Sequence, residues 1–120
     1  MAGPDGVVEI LELGLKASGL RGKAIASNIA NLETPGYRRK QVRFEDALQK
    51  AIDCGRKDRL KNAAPELFEP QTNAPGSNGN DVILDQEIGE LVKNSAKRKA
   101  YIRLLKRYYD QVDMAIGMGQ

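Results

Sequence analysis

The side chains able to do chemistry are unevenly supplied. Cys54 is the single thiol, and the chain contains no histidine. A cysteine nucleophile needs a neighbouring base, most often imidazole, to hold it as thiolate. Beside Asp53, Arg56 and Lys57, Cys54 reads as an incidental thiol. One cysteine cannot form an intrachain disulfide, and the usual Cys/His zinc sets lack their ligands. Asp110 and Asp113 lie one helical turn apart, a spacing too common on helices to mark an acid–base pair. The stretch from Gly14 to Lys23 fails as a phosphate loop, because the lysine must follow the second glycine directly and be followed by Ser or Thr. No catalytic, cofactor or metal site is expected, so the chain is not read as an enzyme.

Basic residues offer the next chemistry. Lys93, Lys97, Arg98, Lys99, Arg103, Lys106 and Arg107 follow one another closely, and the net charge is +3. A nucleic-acid binder gathers such charge on one side, whereas Arg98 falls on an apolar line with the others scattered around it. Tyr101, Tyr108 and Tyr109 then read as packing residues rather than base-stacking platforms. A small basic helical nucleic-acid-binding or adaptor protein stays as the alternative function. No run of about 18 apolar residues exists to cross a bilayer. The N-terminus, interrupted by Asp5, Glu9 and Glu12, lacks the basic and apolar regions of a secretory signal. Either the protein stays in the cytosol or it leaves by a route that uses no cleaved signal.

Two long elements carry most of the apolar residues. A first helix is predicted over residues 6 to 33, with Asp5 as N-cap. Its seam is Val8, Leu11, Leu15, Ser18, Gly22, Ile25, Ile29 and Leu32, at the three–four spacing of a coiled-coil face. A second line, Ile10, Leu13, Ala17, Leu20 and Ala24, widens the stripe. Gly22, on the seam, is read as a point of close backbone approach. A second helix is predicted over residues 84 to 117, ended by Gly117 and Gly119. Its seam is Leu84, Ile88, Leu91, Ser95, Arg98, Ile102, Leu105, Tyr109, Val112 and Ile116. A flanking line runs through Val92, Tyr101, Leu104, Tyr108 and Ala115. The fold class expected is mainly α: terminal helices paired as an antiparallel coiled-coil hairpin, with an irregular, partly disordered middle. Ser18 and Gly22 would then lie near Arg98 and Ile102, leaving the second lines for further neighbours. Paired helices this long and thin bury little core alone.

The middle is predicted to hold an extended piece and then a short helix over about 44 to 54. Strands are expected around Leu67-Phe68 and Val82-Leu84, with loop among Pro65, Pro70 and Pro75. The chain thus divides into an axial helix and turn (1–36), a loop segment (37–83) and a second axial helix (84–120), all in one domain. Between the first two, Thr34-Pro35-Gly36-Tyr37 fits a type II turn: proline fixes φ at the first central position and glycine supplies φ > 0 at the next.

The run Ser27-Asn28-Ile29-Ala30-Asn31, followed by Thr34-Pro35-Gly36-Tyr37, closely resembles the N-terminal signature of the bacterial flagellar basal-body rod protein family and its axial relatives. Phe44-Glu45-Asp46-Ala47-Leu48 after the turn is similar to a short proximal rod member. So are Gly79-Asn80-Asp81-Val82, Leu84-Asp85-Gln86-Glu87, Asn94 and Tyr101. The run from Tyr37 to Lys40 is nearer to a sister rod protein, which keeps both open. The resemblance implies a structural subunit whose terminal helices pack, chain beside chain, into the rod that crosses the periplasm as a drive shaft. It implies as partners other copies of itself, other rod proteins, a FliE-type adaptor at the rod base and the flagellar type III export apparatus. On this reading the turn sends residues 37–83 sideways to adjacent subunits, with Arg38, Arg39 and Lys40 at that contact or in solvent.

Overall fold

The computed structural model describes residues 4–53 and 63–118. Its elements run α1 (Pro4–Ala30), β1 (Gln41–Arg43), α2 (Glu45–Asp53), β2 (Glu66–Phe68) and α3 (Leu84–Met118). The molecule measures 67 × 27 × 14 Å, so its thin dimension leaves room for about one layer of helix beside another. The two long helices pair antiparallel. Glu12 meets Tyr109, Ser18 meets Asn94 and Asn28 meets Glu87, so one helix is climbed as the other is descended.

The proline at position 4 opens α1, where its fixed φ suits a first helical turn and its missing N–H is not needed. Asp5 therefore lies inside the helix and is not its cap. The helix ends at Ala30, earlier than the periodicity suggests, because Asn31 and Leu32 tighten into a turn on Ser27 and Ile29 carbonyls. The expected type II turn is present: the Tyr37 N–H donates to the Thr34 carbonyl at 3.3 Å, and Gly36 has φ +72°.

The core differs from a two-helix seam. Ala17 and Ala24 of α1 are buried with Val42, Phe44, Ala51 and Ala63, and Ile10, Leu13, Leu20, Ala47 and Leu48 pack around them. The second apolar line of α1 is thus covered in large part by the chain's own middle segment, fully at Ala17 and Ala24 and partly at Ile10, Leu13 and Leu20. The middle does this through β1 and α2. β1 pairs antiparallel with β2, Val42 opposite Leu67, and the Arg43 guanidinium lies 4.1 Å over the Phe68 ring. No strand forms at Val82–Leu84, where Leu84 already begins α3. The expectations for Cys54, for Gly119 and for residues 57–62 of the irregular stretch fall outside the described residues.

The face of α3 that meets α1 is also not the predicted one. Glu87, Asn94 and Leu105 are buried and Tyr101 and Tyr108 half-buried, a line at heptad spacing displaced by about one position from the apolar seam. Ile88, Leu91, Ile102, Tyr109, Val112 and Ile116 are each at least 44% exposed. Of the seam, Leu105 alone is buried. The physical reason is that both oxygens of Glu87 and the amide nitrogen of Asn94 find partners on α1 and the turn after it, which a polarity pattern cannot register. The register moves with the face. Ser18 and Gly22 lie against Asn94, not against Arg98 and Ile102. The close contact is at Gly14 instead of Gly22, and with a side chain, not a backbone: a Cβ at Gly14 would collide with the edge of the Tyr101 ring, whereas one at Gly22 would meet only the Asn94 amide at 3.6 Å.

Candidate functional site

Where the chain leaves α1, a run of short polar side chains is buried. Asn28, fully enclosed, uses all its hydrogen-bonding capacity. Its Nδ2 donates to the Lys40 carbonyl at 2.9 Å and to Glu87 Oε2 at 3.1 Å. Its Oδ1 accepts from the Lys40 N–H at 2.8 Å and from the Tyr37 hydroxyl at 3.1 Å. The opposite amide orientation would set NH₂ against the Lys40 N–H, so this network fixes the side chain one way round. Ser27 Oγ then donates to the Tyr37 hydroxyl at 3.0 Å.

The same junction holds Arg39, placed by the sequence reading at a subunit contact or in solvent. It is 1% exposed, and its Nε donates to Glu87 Oε1 at 2.7 Å. Its backbone N–H donates to Asp81 Oδ1, and Arg38 Nε stands 3.2 Å from Asp81 Oδ2. That last pair is attracted by charge without an aligned hydrogen bond, since neither atom finds one. Buried ions are costly unless paired and hydrogen-bonded; Arg39 and Glu87 are both, whereas Arg38 and Asp81 are paired with each other by charge alone. Arg38 and Lys40 remain partly exposed, and Lys40 lies 5.3 Å over the Tyr37 ring.

A second loop seals the turn. Asn80 Nδ2 donates at 2.8 Å to the carbonyls of both Asn31 and Thr34, adding a second donor to two carbonyls that the turn's own N–H groups already engage. Gly36 donates to the Asn78 carbonyl at 2.8 Å. Gly79, at φ +83°, packs so close that a Cβ there would sit 3.3 Å from Gly36 Cα. Of the motif residues Asn28, Ala30, Asn31, Thr34, Pro35, Gly36 and Tyr37, the structure draws all but Ala30 and Pro35 into this junction. Those two are exposed. Arg39, Asn80, Asp81 and Glu87 complete it; nothing in local spacing gives them a role, although Glu87, Asn94, Tyr101 and Tyr108 do share a seven-residue period.

The expected packing residues divide between two surfaces. Leu11 and Ile25 are buried, and Val8, Leu15, Gly22, Ile29 and Leu32 half-buried, along α1. The exposed α3 residues form a separate stripe; Val92, Leu104 and Met114 are also exposed on the same helix. A shallow apolar groove of about 310 Å³ between Val7, Leu11, Leu104 and Tyr108 lies beside it. Beyond the junction, Arg21 grips Glu45 with both carboxylate oxygens at 2.9 Å, and Lys97 approaches at 3.6 Å. Burial pushes the Glu45 carboxyl up, but its own backbone N–H, Arg21 and Lys97 outweigh this and hold it below its ordinary value. At the open end, the hydrogen bond from Tyr109 to Glu12 raises the phenol.

A long antiparallel helix pair with a polar junction at its turn defines a class of axial, helix-packing proteins. Residues 11–38 match the family described as flagella basal body rod protein. The chain is 31% identical to the flagellar basal body rod protein FlgB of Borrelia hermsii, over 89% of this chain and 70% of that one. It is 25% identical to FlgB of Bacillus subtilis, over 97% of both chains, and 25% identical to FlgB of Salmonella typhimurium, over 84% and 86%. The chain belongs to the FlgB family of flagellar basal body rod proteins.

Proposed function

We infer that this chain is a structural subunit of the flagellar basal-body rod, built into the shaft by side-by-side packing of its terminal helices. The observation that carries the reading is the outward stripe of α3. Ile88, Leu91, Ile102, Val112 and Ile116 are apolar, aligned and exposed, and contiguous apolar surface of that kind marks an interaction site. Residues 1–36 and 84–120 form the wall, and residues 37–83 reach neighbouring subunits from the side. The partners are further copies, other rod proteins and a FliE-type adaptor at the base. The subunit works in the periplasmic part of the basal body, delivered by the flagellar export apparatus. Its role is structural; among the described residues no helix is long and apolar enough to cross a membrane. Nothing favours the nucleic-acid alternative.

Replacing Ile102, Val112 and Ile116 together by Ser tests this. Isolated surface changes shift stability by about 0.5 kcal/mol or less, so circular dichroism should show the wild-type helix content while swimming is lost. Full motility with an unchanged spectrum overturns the reading.

A further inference from the structure

Beside the junction, a cleft of about 200 Å³ opens between α1, β1 and α3. Arg21, Arg39, Lys40, Lys93 and Lys97 line it, against the carboxylates Glu45 and Glu90. Five cations thus face two anions in the lining, with Arg39 and Lys40 also paired outside it to Glu87 and Glu69. Glu45 is already engaged by Arg21 and Lys97. Both oxygens of Glu87, on the far side of Arg39, are also taken. Arg39 Nη1 is therefore left as a buried cationic donor without an acceptor, in a side chain 1% exposed. Asn94 Oδ1, in a residue 5% exposed, is likewise buried and unpartnered on the same cleft. An unmet N–H on a buried guanidinium is costly, and a planar guanidinium is the side chain best matched to carboxylate or phosphate oxygens.

We propose that this cleft binds an oxyanion, a carboxylate or phosphate group, through Arg39 Nη1 with Lys93 and Arg21 around it. The Asn94 carbonyl oxygen takes a protonated oxygen of that group or a water carried with it. The anion is either free in solution or the carboxylate side chain of a second copy. The binding claim stands apart from the rod assignment; the second source alone rests on it.

The test uses the full chain with inorganic phosphate and, separately, acetate, at constant ionic strength. Nitrogen-15 NMR reads the Arg39 Nε–H and Asn94 side-chain signals. Lys93 is exposed and forms no hydrogen bond among the described residues, so Lys93→Gln leaves the fold intact, as unchanged Asn28 signals will verify. The expected result is a saturable shift of both signals, with binding weakened about tenfold in Lys93→Gln. A shift that grows linearly without saturating, or equal binding in the variant, overturns the proposal. Sedimentation with and without phosphate then separates the sources. Phosphate that competes with self-association supports a carboxylate from a second copy, and indifference supports a free anion.

Discussion

The two ends of the helix pair are held by opposite means. At one end, α1 stops, turns and meets the start of α3 through buried Asn28, Arg39, Asp81 and Glu87, each hydrogen-bonded to another part of the chain, with the buried Arg39 Nη1 left over. At the other end, the last turns of α3 expose Val112, Met114 and Ile116 at 44%, 65% and 59%. The first end is held together within one molecule, because directional hydrogen bonds and buried ions demand specific partners. The second is incomplete, because apolar surface accepts any dry neighbour and waits for one. The contrast suits a subunit that must keep its own turn while leaving its stem ready to join others.

Breaking the polar end should produce the largest change. Glu87→Ala leaves Arg39 buried without its carboxylate and Asn28 short of one acceptor, at a cost of about 3–5 kcal/mol. Denaturant unfolding of the monomer measures this; a loss no greater than that of an exposed α3 substitution would erase the distinction between the ends.

The turn sharpens the comparison next. Gly36 and Gly79 both have positive φ, which costs a side-chain-bearing residue about 1–2 kcal/mol. A Cβ at Gly36 faces open space, whereas at Gly79 it presses on Gly36 itself. Gly79→Ala should therefore destabilise more than Gly36→Ala, and thermal unfolding of the two should rank them so.

Along the stem, Gly22→Ala should stabilise by up to about 1 kcal/mol through helix propensity. Gly14→Ala should give no such gain while Tyr101 is present, and should recover it in a Tyr101→Ala background. Equal behaviour of the two glycines would mean that the helices do not approach at Gly14.

The smallest effect expected concerns Glu45, on the shoulder of the junction. Its folded-state pKa lies below the unfolded one despite burial, because its backbone N–H, Arg21 and Lys97 favour the charged form. Such a carboxylate stabilises the fold above its unfolded pKa and loses that contribution as pH falls through the folded value. Wild type should exceed Glu45→Gln in stability at neutral pH, with the gap closing as pH drops through and below the ordinary carboxylate range. Half the side chain is in water, so the gap will be small.

The sequence by itself determined the two long helices, the type II turn at Thr34–Tyr37, the short helix after it and the pairing of the ends. Each of these rests on local chemistry: apolar spacing, proline and glycine at fixed turn positions, and a chain too thin for a deep core. Which face of α3 turns inward was decided only by the tertiary structure. Glu87 and Asn94 lie off the apolar seam and have no visible partner until Asn28, Arg39 and the Ser18 carbonyl are brought beside them from positions 48 or more residues away. Arg39 was hidden for the same reason, since a charge reads as solvent-exposed until its counter-charge is located. The second line of α1 likewise looked free, because its partners, Val42 and Phe44, come from a segment with weak periodicity. Spacing along one chain records which residues are apolar; burial of a polar group depends on what stands opposite it, and that is fixed only when distant segments meet.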